Sequence, residues 1–257
     1  KILNPNIKPE KLYQQITGPD RKILLLDYDG TLAPFKTDPS HAVPYPGIRE
    51  LLQKLLLRSD VRLVVISGRA TRDLIPLLGL EQPPEIWGSH GIERLMPAAG
   101  YEQMEIPAIA ASGLQTAKDW LQQTGWHKRG EEKPGCYAVH WRGMPPPEVQ
   151  ELKEQAEKRW QTLAGRHGLE LKQFDGGLEL RVPGRTKADA VLQVLEEESG
   201  SPLTVYLGDD LTDEDAFRTL KGRGVGFLVR EEFRETQADI WIQPPQELMD
   251  FLQRWIK

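Results

Sequence analysis

A single cysteine, Cys136, stands among 257 residues, so no disulfide can staple this chain from within. That excludes the disulfide-dense secreted scaffolds, fits a compartment that keeps thiols reduced, and leaves Cys136 to act as a small apolar core residue. No apolar run approaches the roughly 20 residues that span a bilayer, and no signal-peptide pattern precedes the first apolar strand. A cytoplasmic protein with no membrane partner is therefore expected. No long basic stretch appears and the net charge is −5, which argues against nucleic acid as a partner. A P-loop, an HExxH pair and a nucleophile elbow are also missing. Gly222, Gly224 and Gly226 mimic a dinucleotide fingerprint, but they precede a strand and do not link a strand to a helix. The chain begins at Lys1 and not at a methionine, as a piece of a longer protein would.

What is present is an ordinary composition, 39% hydrophobic and 28% charged, in a chain long enough for one large core or two smaller domains. Ile23 to Leu26 form a continuous apolar run, the pattern of a buried strand in a parallel sheet. The run ends in Asp27, Tyr28, Asp29, Gly30 and Thr31, and strand alternation would project Asp27, Asp29 and Thr31 together. Two carboxylates at the carboxyl end of a central strand sit where open α/β sheets bind ligands. They repel each other unless a cation or a proton intervenes. A divalent metal, or one carboxyl kept protonated, would meet that need, and both suit phosphoryl transfer. A turn built on Asp-Gly is the plainer alternative, and three further segments weigh against it.

The first of these is Val61 to Arg69, another buried strand whose end offers the Ser67 hydroxyl, backbone N–H groups at Gly68 and the charge of Arg69 to a phosphate. The second is Lys187, in the first turn of a helix that Thr186 can cap. A lysine there opposes the helix dipole, and an anionic site nearby would explain it. The third is Val205 to Phe217, a strand running into Gly208, Asp209 and Asp210, then Asp213, Glu214 and Asp215. Clustered carboxylates suit a hard cation such as Mg²⁺. Helix capping from Thr212 accounts for Glu214 and Asp215, but not for Asp209 and Asp210, which precede the cap.

The fold class expected is α/β, a doubly wound parallel sheet carrying an inserted smaller α+β domain. Strands are predicted at 23–27, 61–66 and 85–88, with helices at 47–58 and 71–79 between them. A helix at 110–123, strands at 126–131 and 136–142, a long helix at 146–166 and strands at 169–174 and 178–182 then give an αββαββ order. Asp175-Gly176-Gly177 signals a hairpin turn there, and Gly184 breaks the last strand. Core patterns resume with a helix from Lys187, strands at 203–207, 225–229 and 239–242, and a last helix at 246–255. The expected division is 1–108 and 184–257 for the main domain and 109–183 for the insertion.

The four segments in this order resemble the haloacid dehalogenase superfamily of phosphatases. LLDYDGTLAP, ISGR, GSHGIE (Gly88 to Glu93), Glu131 to Arg142, LELRV and GDDLTDEDAF resemble the trehalose-6-phosphate phosphatase family within it. Ala188 stands where that family usually has glycine after the lysine, and a small residue is kept. The resemblance implies a Rossmann-like core with a cap, and Mg²⁺-dependent hydrolysis of trehalose 6-phosphate through an aspartyl phosphate. Asp27 would be the nucleophile and Asp29 the acid and base. Ser67, Gly68, Arg69 and Lys187 would bind phosphate. Asp27, the Asp29 carbonyl and Asp209 would hold the metal, with Asp210 or Asp213 beside them. His90, Glu131, Lys133, His140 and Glu179 would meet the sugar, with Arg142 and Arg181 as further candidates. Other readings are a phosphatase of the superfamily acting on sucrose phosphate or glucosyl-3-phosphoglycerate, and a non-catalytic domain of a trehalose-phosphate synthase fusion. Oligomeric state stays open, with a monomer as the working expectation.

Overall fold

The computed structural model describes residues 1–36, 38–174, 176–183 and 185–256. The chain runs through α1 (Pro9–Thr17), β1 (Lys22–Leu26), α2 (Ile48–Leu56), β2 (Val61–Ile66), α3 (Thr71–Leu78), β3 (Glu85–Gly88), β4 (Glu93–Met96) and β5 (Gly100–Gln103). It continues through α4 (Ala108–Gln123), β6 (Gly130–Lys133), β7 (Cys136–His140), α5 (Pro146–His167), β8 (Glu170–Phe174) and β9 (Gly177–Arg181). The last elements are α6 (Lys187–Glu196), β10 (Leu203–Gly208), α7 (Glu214–Thr219), β11 (Val225–Val229), β12 (Ile240–Ile242) and α8 (Gln246–Arg254). They divide into two units, Lys1–Glu102 with Thr186–Lys257, and Gln103–Arg185.

In the first unit the sheet order is β12-β11-β10-β1-β2-β3-β4-β5. The pairs from β12 through β3 are parallel, and β3 pairs with β4 antiparallel. Each residue of β1 is buried, because helices cover both faces of the sheet. Leu24, Leu26, Val65 and Leu207 pack on one side against Ile16, Leu52, Leu74 and Phe251. Ile23, Leu25, Val64 and Tyr206 pack on the other side against Val191 and Val194 of α6 and Phe217 of α7. Each such leucine contributes about 1.5–3 kcal/mol through burial alone. The sheet is thus doubly wound, as the apolar runs imply. The β4–β5 hairpin was not expected from the sequence. Its strands are short and β5 is fully exposed, so they carry neither apolar run nor clear alternation.

The second unit has the αββαββ order and a sheet ordered β6-β7-β9-β8, antiparallel at every pairing. Tyr137, Val139, Leu178 and Leu180 face α4 and α5, where Trp160 is fully buried among Ala117, Leu121 and Leu152. The helices approach closely at Gly113, where an added Cβ would stand 2.6 Å from His167 Cβ. A strand expected from 126 begins only at Gly130, and His127–Arg129 instead form a 3₁₀ turn. Gly130 fits where a Cβ would meet the Tyr137 hydroxyl at 2.2 Å. Asp175 of the expected hairpin turn and the strand-breaking Gly184 lie outside the described residues. Among the described residues, no helix is long and apolar enough to cross a membrane.

Candidate active site

Parallel pairing brings the carboxyl ends of β10, β1 and β2 together. Leu26 pairs with Leu207 on one side and Val65 on the other. The Asp27 N–H donates to the Leu207 carbonyl at 2.9 Å, so Asp27 is level with Gly208, and Asp209 follows directly. One residue further along the neighbouring strand stands Ser67. Three loops therefore converge at one edge of the sheet.

Asp27 and Asp209 are buried there, as is Asp213. Ligand-capable oxygens of the three lie within 4.8 Å of one another. Lys187 enters from the first turn of α6, and its Nζ donates to Asp27 Oδ1 at 2.6 Å and Asp213 Oδ1 at 2.7 Å. Helix α6 is fixed by the capping box that Thr186 foretold: Asp189 Oδ2 accepts the Thr186 N–H at 2.7 Å. Asp213 is saturated. Besides Lys187 it accepts the Tyr206 hydroxyl at 2.5 Å and the backbone N–H groups of Asp209 and Asp210 at 3.0 and 2.9 Å.

Three buried carboxyls surround one ammonium, so a cation or bound protons must offset the excess charge. Burial pushes the Asp27 carboxyl up to about 7 against the pull of Lys187, with Asp213 adding to the rise. Burial, then Asp27 and Asp213, push Asp209 up to about 10. Burial works against the Lys187 ammonium, but Asp213 and Asp27 outweigh it and raise its pKa. One buried oxygen on each of two carboxylates, Asp27 Oδ2 and Asp209 Oδ1, has no hydrogen-bond partner among the described residues. Two orphaned carboxylate oxygens in a buried, acid-rich cluster are a donor set for a hard divalent metal. Gly30 makes the fit possible. At φ +83° it sits where a Cβ would come within 2.1 Å of Asp209 Oδ2, so only glycine allows the Asp209 carboxylate this seat.

The remaining predicted residues fall into place unevenly. Asp29 does not turn its carboxylate into the cluster. Both its oxygens are held by Arg69, at 2.7 Å from Nε and Nη2, and the guanidinium also lies 5.7 Å from the Tyr28 ring centre. Ser67 is buried, and its Oγ accepts the Arg69 N–H at 3.1 Å. His90 joins this loop: its N–H donates to the Ser67 carbonyl at 3.0 Å, and its ring occupies the space a Cβ on Gly68 would fill. Ser89 and His90 both hold left-handed backbone angles, φ 49° and 58°, a strained pair for non-glycine residues. Buried Glu93 fastens that turn, accepting from Ser89 Oγ at 2.5 Å, Thr71 Oγ1 at 2.7 Å and the Thr71 N–H at 3.2 Å. Asp210 caps the 3₁₀ turn Leu211–Asp213.

In the second unit the strand register shows which face each candidate uses. Glu131 pairs with Ala138 and Ala138 with Glu179, while Lys133 pairs with Cys136 and Cys136 with Arg181. Glu131, Lys133, Cys136, His140, Glu179 and Arg181 therefore share the sheet face opposite the helices. Glu131 Oε2 lies 2.8 Å from His140 Nε2 and 3.2 Å from Lys133 Nζ. Burial would raise the Glu131 carboxyl, but His140 and Lys133 hold it down to about 2. Burial, then Glu179, push the Cys136 thiol well up, consistent with an unreactive buried thiol on that face.

Two expectations are overturned and two participants were missed. Thr212 is not a helix cap; Asp213 is the N-cap of α7. Glu214 does not cap either. Its carboxylate accepts from Arg234, from Thr236 Oγ1 at 2.9 Å and from the Gln237 N–H at 2.6 Å, so a distant loop claims it. No motif in the sequence singles out Tyr206 or Arg234. For Tyr206 a signal existed, since a tyrosine inside a buried apolar strand needs a partner for its hydroxyl. Arg234 sits in a loop without any pattern.

In fold, with its doubly wound, mostly parallel sheet, the chain is similar to BT1666 from Bacteroides thetaiotaomicron, a phosphatase of the haloalkanoate (HAD) enzyme superfamily, with TM-score 0.60, 16% identity, and 98% and 99% of the two chains covered. A family model described as trehalose-phosphatase matches residues 25–239, and the chain belongs to that family. It is 35% identical over 244 residues to a trehalose-phosphate phosphatase of Mycobacterium tuberculosis, covering 90% of this chain and 60% of that protein. It is 31% identical to a probable trehalose-phosphate phosphatase H of Arabidopsis thaliana, covering 91% of this chain and 72% of that one. The chain thus spans 60% of the length of the mycobacterial relatives it matches. In fold it is similar to the C-terminal domain of C. albicans trehalose-6-phosphate phosphatase, with TM-score 0.79, 20% identity, and 100% and 99% of the two chains covered.

Proposed function

We propose that the chain hydrolyses trehalose 6-phosphate to trehalose and inorganic phosphate through an aspartyl phosphate, with Mg²⁺ as its divalent cation. The observation that carries this reading is the buried cluster of Asp27, Lys187, Asp213 and Asp209, with its two unpartnered carboxylate oxygens, in a chain of this family. Asp27 and Asp209, with the Asp29 carbonyl, would hold the cation, and Asp213 orients Lys187 and the acidic loop. Bound there, Mg²⁺ offsets the repulsion between a carboxylate nucleophile and a phosphate dianion.

Asp27 attacks phosphorus while the sugar oxygen leaves. Asp29 gives that oxygen its proton and later takes one from the water that cleaves the acyl phosphate. An incoming phosphoryl group competes for Arg69 and loosens its grip on Asp29. Ser67, the Gly68 N–H and Lys187 hold the transferring oxygens and stabilise their charge in the transition state. Residues 109–183 act as the cap domain of the superfamily and recognise the sugar, with Glu131, Lys133, His140 and Glu179 offering hydrogen bonds to its hydroxyls. His90 binds substrate from the Ser67 side. We further propose a cytoplasmic location, which the single buried cysteine fits, and a monomeric state.

The test is phosphate release from trehalose 6-phosphate beside sucrose 6-phosphate, glucosyl-3-phosphoglycerate and glucose 6-phosphate, each with and without Mg²⁺. Preference for the first, lost without metal, is expected. Preference for another sugar phosphate would move the substrate assignment, and absence of turnover on all four would end the enzymatic reading.

A further inference from the structure

Arg234, in the loop between β11 and β12, closes on the backbone of the acidic loop after β10. Its Nε and Nη2 donate to the Asp209 carbonyl at 3.2 and 3.1 Å, and Nη2 also donates to the Asp210 carbonyl at 2.7 Å. Its Nη1 donates to the Glu214 carboxylate and to the Glu235 carbonyl at 2.9 Å. Glu214 is the hub on the other side, since it also accepts from Thr236 Oγ1 and the Gln237 N–H. The two charged side chains are only 19% and 12% exposed, so this is not a pair of solvated surface charges.

The Asp209 carbonyl and the Asp210 N–H belong to one planar peptide group. Arg234 holds its carbonyl end, and Asp213 Oδ2 holds its N–H end at 2.9 Å. Turning that peptide would break charge-assisted hydrogen bonds at both ends at once. The backbone at Asp209 is therefore gripped, and its side chain is aimed over Gly30 with Oδ1 unpartnered.

We propose that Arg234 and Glu214 are positioning residues for the divalent cation: they clamp the 209–210 peptide so that the Asp209 carboxylate stands ready to bind metal. The proposal rests on the reading of Asp209 as a metal ligand. It also gives Glu214 the role that helix capping does not fill. Groups that orient metal ligands without touching the metal act mainly on affinity.

The experiment titrates Mn²⁺ by electron paramagnetic resonance, and Mg²⁺ by calorimetry, into the wild-type chain, Arg234→Met, Arg234→Lys, Glu214→Gln and Asp209→Ala. Thermal unfolding in EDTA is followed in parallel. Arg234→Met should weaken cation binding about 10–100-fold in a chain that thermal unfolding in EDTA shows to be still folded at the titration temperature. Arg234→Lys, which keeps the charge and part of the donor set, should recover part of the affinity, and Glu214→Gln should fall between. At limiting Mg²⁺, phosphate release by Arg234→Met should drop, and excess Mg²⁺ should restore much of it. Wild-type affinity in folded Arg234→Met overturns the clamp. Should that variant not fold, wild-type affinity in both Arg234→Lys and Glu214→Gln overturns it equally. If the wild type binds no Mn²⁺, or Asp209→Ala binds it as tightly, the assignment of Asp209 as a ligand fails, which is a different result from failure of the clamp.

Discussion

At the scale of single residues the site is a contest between burial and charge. Asp27, Asp209 and Asp213 are buried with one ammonium, Lys187, among them. That lysine alone cannot balance three ionised carboxylates, and one oxygen on each of Asp27 and Asp209 is left unpartnered. Asp27 Oδ1 is tied to Lys187 while Oδ2 is not tied, so the carboxylate is fixed in direction without being spent on structure. Asp27→Asn keeps that shape and removes the nucleophile. Phosphate release should vanish while thermal unfolding stays cooperative, and near-wild-type turnover in this variant would rule out the aspartyl phosphate. Asp29→Asn should lose about 10²–10⁴-fold, the usual contribution of acid–base steps, measured as kcat on the same substrate. The residue types of this centre were readable from sequence because carboxylates at strand ends are costly without a use. The pairing of Asp29 with Arg69 was not, because Arg69 is 40 positions away in sequence, and only the register of β1 on β2 brings the two together.

Elements set the precision of the site. Lys187 reaches Asp27 because α6 starts at one fixed residue, and the Thr186–Asp189 capping box sets that start. Thr186→Ala should cost about 1 kcal/mol of stability, read by urea unfolding, and should reduce kcat as the lysine loses its fixed origin. An unchanged kcat would mean that α6 holds its start without the cap. The acidic loop after β10 is a second such element. EDTA should abolish turnover, Mg²⁺ should restore it, and Ca²⁺ should restore it poorly because its larger, looser shell misplaces the carboxylates; full activity in a metal-free preparation would remove the metal from the mechanism. Strands β1, β2, β10 and β11 were legible because parallel strands buried on both faces read as unbroken apolar runs. The αββαββ order was legible from its alternating periods. The β4–β5 hairpin, with little to bury, left no pattern. Glu214 misled because an acid in the first turn of a helix usually serves the dipole, whereas here a loop twenty residues on supplies Arg234 as its partner.

For the molecule as a whole, stability and specificity are carried by different charged groups. Arg62 and Arg94 bind Glu85 and Glu197 in a partly buried network joining β2, β3 and β4 to the end of α6. Hydrogen bonds from Arg94, then Arg62, hold the Glu197 carboxyl at about 2 from an ordinary 4.5. A depressed carboxyl stabilises the fold fully above its unfolded value and loses that contribution as pH falls toward the folded one. The melting temperature should therefore drop more steeply between about pH 4.5 and pH 2 in the wild type than in Glu197→Gln; parallel curves would show that the network carries no such linkage. On the function proposed above, specificity belongs to the polar face of the second unit. Glu131 and Lys133 on β6 and Glu179 on β9 flank β7 there, on the face away from the helices that form that unit's core. Removing any of them should leave that core intact, and the proposed mechanism leaves the chemistry of the phosphate monoester to Asp27, Asp29 and Lys187. Glu131→Ala, Lys133→Ala and Glu179→Ala should each cut kcat/KM on trehalose 6-phosphate strongly and on p-nitrophenyl phosphate much less. The reason is that hydrogen bonds built for sugar hydroxyls act on the transition state only when the sugar is there. Equal losses on both esters for all three variants would show that this face serves folding or phosphate chemistry, and the sugar-recognition role would pass to other residues.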